Sequence, residues 1–83
     1  RVELNFLRDR EGREVDFIIS VNKKPWMAIE VKLKDQQVSK SLKYFAERLN
    51  IPFVYQVVKE KNIDFTQNNV RIISADKFLS NLL

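Results

Sequence analysis

Two strand-length segments, EVDFIIS (14–20) and WMAIEVKL (26–33), each carry charged residues within an otherwise apolar run. They stand close enough in sequence to form one hairpin. Successive strand residues point to opposite faces, so a slip of one residue would turn the charges into the core, and the pairing is tightly restricted. With the turn centred on Lys23, Val15, Phe17 and Ile19 face Val31, Ile29 and Met27 on one side. Glu14, Asp16 and Ile18 then face Lys32, Glu30 and Ala28 on the other. One face is wholly apolar. On the other, Asp16 lies opposite Glu30, and Lys32 projects from the same face two residues on.

Two adjacent carboxylates repel unless positive charge lies between them, and oxygen ligands of this kind suit Mg²⁺ or Mn²⁺. Such an ion would polarise a phosphate and lower the pKa of its bound water, and a lysine within reach would orient or deprotonate that water for in-line attack on phosphorus. The chemistry that fits is phosphodiester hydrolysis. The plainer reading is a solvated hairpin face with ordinary surface ion pairs, and a Glu-x-Lys tripeptide arises often by chance. The apolar setting of both Glu30-Val31-Lys32 and Asp16, with a helix following at once, favours the metal site.

The chain contains neither histidine nor cysteine. That removes the commonest general base, every triad that uses histidine, thiolate metal sites and disulfides. Any chemistry must rest on carboxylates, lysine and a hard metal. A net charge of +4 favours a polyanionic partner, because cationic side chains near phosphates release condensed counterions. With one glycine in 83 residues there is no phosphate-binding glycine loop and hence no ATP site. No apolar run approaches the roughly 18 residues of a membrane span, so no membrane partner is expected. RVELNFLRD reads as a strand and not as a signal peptide, and the expected location is cytoplasmic.

The length suits one domain, residues 1–83, expected to belong to a longer chain. Val2 to Arg8 alternates, with Val2, Leu4 and Phe6 on one face, and Asp9-Arg10-Glu11-Gly12 supplies a turn. The second strand is expected over about 13–20 and the third over 26–33, making an antiparallel meander. From about Gln36 to Leu49, Val38, Leu42, Phe45, Ala46 and Leu49 fall at helical spacing, with Asp35 as N-cap and Asn50 as the C-terminal stop. Phe53 to Val58 reads as a strand parallel to the third, reached by a right-handed crossover. Residues 59–69 read as a polar loop and Val70 to Ser74 as a last strand. Asp76 caps a short terminal helix whose Phe78, Leu79, Leu82 and Leu83 need a surface to bury against. The expected fold is α/β, a mixed sheet in the order βββαββα.

Taken together, Arg13-Glu14-Val15-Asp16-Phe17, Ala28-Ile29-Glu30-Val31-Lys32, the following helix, Pro52-Phe53-Val54-Tyr55, Val70 to Ala75 and Phe78 to Leu82 resemble a known family over nearly the whole chain. It is the C-terminal domain of unknown function attached to bacterial and archaeal AAA-type ATPases. That domain is similar to PD-(D/E)xK nucleases such as restriction endonucleases and archaeal Holliday-junction resolvases. The resemblance implies a restriction-endonuclease-like fold, with Asp16, Glu30 and the backbone carbonyl of Val31 as metal ligands and Lys32 as the catalytic lysine. It also implies an ATPase domain in the same parent chain. Many members of the superfamily carry a helix with an acidic residue before the first strand; this sequence begins at the strand, so that helix is either missing or lies before residue 1 of the parent chain, and Val15 stands where the family name has proline. The helix has no Q-x-x-x-Y motif, since Lys40 lies four residues before Tyr44. Gln37, Lys40 and Lys43 are the candidate contacts to a DNA backbone.

Two functions follow as expectations: a Mg²⁺- or Mn²⁺-dependent DNA endonuclease domain, or a catalytically inactive nuclease-like module that binds nucleic acid or protein. Trp26, Phe45, Phe53, Tyr55 and Phe78 are expected to pack in or near the core.

Overall fold

The computed structural model describes residues 1–8, 14–33 and 37–82. Six strands form one mixed sheet: β1 (Val2–Arg8), β2 (Glu14–Val21), β3 (Lys24–Lys32), β4 (Phe53–Val58), β5 (Asp64–Gln67) and β6 (Val70–Ser74). Helix α1 (Lys40–Leu49) joins β3 to β4, and α2 (Ala75–Leu82) follows β6 directly. The strand order across the sheet is β1-β2-β3-β4-β6-β5. The β1–β2–β3 half is antiparallel, and β4 runs parallel to both β3 and β6. The turn at 9–12, the capping role of Asp35, the helix start at Gln36 and the burial of Leu83 lie outside the described residues. Among the described residues, no helix is long and apolar enough to cross a membrane.

The central part of the β2–β3 hairpin has the register that the charge pattern demands: Phe17 pairs with Ile29, Ile18 with Ala28 and Ile19 with Met27. Its loop is two residues, Asn22 and Lys23, both with positive φ (52° and 67°). That is the type I′ geometry whose twist matches paired strands, and asparagine tolerates it better than most residues. Closing the loop between Val21 and Lys24 shifts the pairing by one, so that Ser20 meets Pro25 and Trp26 is the extra residue. Trp26 is thus placed by a bulge and remains 40% exposed, with its ring edge-on to Phe53 at 5.4 Å.

Helix α1 begins four residues later than its apolar spacing suggests. Ser39 is the N-cap, extended at φ −60° and ψ 129°, and its hydroxyl accepts from the backbone N–H of Leu42. The reason is tertiary. The carboxamide of Gln56 on β4 accepts from Ser39 N–H at 2.8 Å and donates to the Gln37 carbonyl at 2.6 Å, which holds 37–39 out of the helix. The C-terminal stop is as expected: Asn50 is left-handed at φ 51°, ψ 50°.

The segment read as a polar loop contains β5. It pairs antiparallel with β6 through another two-residue loop, Asn68 and Asn69, both with positive φ. The order is therefore βββαβββα. On this hairpin the Arg71 guanidinium makes a bidentate pair with Asp64, both bonds 2.8 Å. The hydrogen bond from Arg71 holds the Asp64 carboxyl below its ordinary value. A carboxyl depressed by folding adds stability that is fully present above its unfolded pKa of about 4 and is lost as pH falls through the folded value. Asp64→Asn is therefore expected to lower the melting temperature slightly at pH 7 and by progressively less in acid, as pH falls through the folded value of the carboxyl. An equal loss at pH 7 and in acid would show that the pair does not act through charge.

Two apolar layers cover the sheet. On one face α1 packs Leu42 and Phe45 against Ile18, Ala28, Val54, Val58, Val70 and Ile72. On the other, Phe78 of α2 packs against Met27, Ile29, Val57 and Ile73, with Tyr55 edge-on at 5.0 Å. Expected burial fails at Trp26 and at Phe17 and Val31 of the apolar hairpin face, all exposed, and at three further residues. Phe53 is 45% exposed at the start of β4, and Leu79 and Leu82 are 59% and 56% exposed, because α2 turns Ala75 and Phe78 onto the sheet.

Candidate functional site

Asp16 sits where β2 leaves its ladder to β3 while remaining paired to β1. Asn5 of β1 pairs with Ile18 and Leu7 pairs with Val15, so Asp16 and Phe17 together oppose Phe6. This two-against-one arrangement is a bulge, a device that re-aims a side chain. The ladder to β3 ends at Phe17–Ile29. The expected pairings of Asp16 with Glu30, Val15 with Val31 and Glu14 with Lys32 are not among the backbone pairs. In their place the Asp16 carboxylate accepts a hydrogen bond from the backbone N–H of Val31 at 2.8 Å. A side chain thus bridges the two strands where their backbones part.

Along β3, Glu30 and Lys32 are half-buried while Val31 between them is 54% exposed. This is the alternation of one face against the other, and it puts Glu30 and Lys32 on one face, as expected; that face is the one that carries α1. Glu30 Oε2 is buried. Glu30 is the register neighbour of Gln56 and Lys32 of Val58, so both lie towards the C-terminal end of β4. The N–H and C=O of a strand residue project to the same side. Val31 N–H turns to Asp16, so the Val31 carbonyl also projects towards β2. These are hard oxygen donors of the kind a Mg²⁺ or Mn²⁺ ion takes. Among the described residues, no three acidic, histidine or cysteine side chains gather closely enough to hold an ion, so such a site would rest on two carboxylates and a backbone oxygen.

Of the candidate backbone contacts, Gln37 is exposed and its carbonyl is tied to Gln56 beside the row of Glu30. Lys40 is exposed in the first turn of α1. Lys43, one turn on, instead lines an open groove of about 650 Å³ with Glu47, Asn50 and the hairpin tip Asn68–Asn69. That groove lies at the start of β4, the far end from Lys32. Sequence reasoning overlooked Gln56, although a lone carboxamide inside FVYQVV carries its own signal: a buried polar group needs partners, and their supply shapes the surroundings.

The fold is of the α/β class, a mixed six-stranded open sheet with two helices. The chain belongs to the family described as "Domain of unknown function (DUF4143)", which matches residues 1–78. No curated protein and no solved structure matches it.

Proposed function

We propose that this domain is a metal-dependent nuclease of the PD-(D/E)xK type that hydrolyses phosphodiester bonds in DNA, with an ATPase module of the same polypeptide as its partner. The observation that carries the reading is the hydrogen bond from Val31 N–H to Asp16. It fixes a carboxylate against the Glu30-Val31-Lys32 end of β3 at a point where the backbone ladder has opened. Asp16, Glu30 and the Val31 carbonyl would hold the ion. When bound, a divalent cation would polarise the scissile phosphate and acidify its water. Lys32, on the same face as Glu30, orients the attacking water and offsets charge building on the phosphate. Gln37 and Lys40 contact the sugar-phosphate backbone nearby, and Lys43 does so further along.

Incubation of plasmid DNA with the protein in Mn²⁺ or Mg²⁺ is expected to give nicked and linear forms, and none in EDTA. Absence of metal-dependent cleavage would overturn the enzymatic reading. The lack of a third acidic group among the described residues favours, as the second reading, a non-catalytic module that binds DNA. Its affinity would fall steeply with salt, as phosphate contacts require.

A further inference from the structure

Gln56 is a polar side chain with no exposure, set on β4 among Val54, Val57 and Val58. An aliphatic residue would serve the packing of this layer equally well, so the carboxamide calls for another explanation. Two of its hydrogen bonds go to the backbone of one segment. Its oxygen accepts from Ser39 N–H at 2.8 Å, and its nitrogen donates to Gln37 O at 2.6 Å, one on each side of Val38. Ser39 is in turn the N-cap of α1. The Gln56 carboxamide therefore decides where 37–39 lies and where α1 begins.

The place it fixes is specific. Gln56 is the parallel-register neighbour of Glu30, and both face the α1 side of the sheet. A segment clamped to Gln56 runs beside Glu30, with Gln37 and Lys40 at its two ends. Resting on the nuclease reading, we propose that Gln56 is a positioning residue for the DNA backbone beside the metal site. It sets the 37–39 segment and the first turn of α1 as the wall against which the DNA backbone lies beside Glu30 and Lys32. It makes no contact with the metal or with DNA itself.

The test compares wild type with Gln56→Met, which keeps the length of the side chain and loses both hydrogen bonds. Mn²⁺ affinity by calorimetry, melting temperature, and kcat and KM for cleavage of a short DNA duplex are measured at a temperature well below melting. KM is expected to rise on the order of 10-fold to 100-fold, as small misplacements near a reacting centre produce, with Mn²⁺ affinity unchanged. A merely structural role would lower the melting temperature and leave KM in place. Should Gln56→Met fail to fold, Gln56→Leu carries the same comparison, because it too loses both hydrogen bonds and places no charge in the buried layer. Unaltered KM in a folded variant overturns the positioning role alone. Wild type that does not cleave with Mn²⁺ overturns the nuclease reading, and this role with it.

Discussion

Lys32→Ala is expected to lower metal-dependent cleavage by about 10²- to 10⁴-fold, the usual worth of a positioned proton-transfer or water-orienting group. Mn²⁺ affinity and melting temperature should stay near those of wild type. Lys32 is the last residue of β3, and its backbone carbonyl accepts from Lys59 N–H at 3.3 Å, a tie between this strand end and the chain after β4. Truncating the side chain leaves that bond in place. Lys32→Arg then separates two roles. A guanidinium retains the charge but does not give up its proton in proteins, so recovery in the arginine variant assigns the lysine to electrostatic support, and continued loss assigns it to proton transfer. Full activity in Lys32→Ala, measured under single-turnover conditions, would remove Lys32 from the mechanism.

The largest expected effect on stability is Leu42→Ala. Leu42 is fully buried and joins α1 to the layer formed by Ala28, Val54, Val58 and Ile72. Removing a buried leucine costs the lost transfer energy and leaves a cavity, together about 3 kcal/mol. Small domains have a total of only roughly 5–15 kcal/mol, so this is a large share. For a chain of this size the melting temperature should fall by roughly 10–25 °C. Urea denaturation should show a lower midpoint with an unchanged slope, since the surface exposed on unfolding is nearly the same. A loss under about 1 kcal/mol would mean that α1 is not anchored through Leu42.

The parts of the fold legible in the sequence are those where one face had to be dry. Charges confined to one phase of EVDFIIS and WMAIEVKL dictated the pairing of Phe17 with Ile29 and Ile19 with Met27, as found. The crossover through α1 to a parallel β4 followed from the apolar run 53–58, and it too is present. Strand β5 was illegible because Asp64, Phe65, Thr66 and Gln67 are all exposed, so no apolar period marks it. Its one local signal is Asn68-Asn69, a pair suited to positive φ.

The start of α1 depended on a residue 17 positions away, since Gln56 draws Ser39 into the cap, and no pattern local to the helix contains that fact. At the candidate site, alternation placed Asp16 and the Glu30–Lys32 pair on one hairpin. The bulge that turns Asp16 towards Val31 N–H arises from its pairing with β1, which the β2–β3 pattern does not encode.

The most direct measurement is a calorimetric titration of Mn²⁺ into wild type and into the Asp16→Asn, Glu30→Gln double variant. Binding by wild type that the double variant loses, at an unchanged melting temperature, is the expected result. A wild type that takes up no Mn²⁺, or a double variant that binds it as well as wild type, would contradict the metal site.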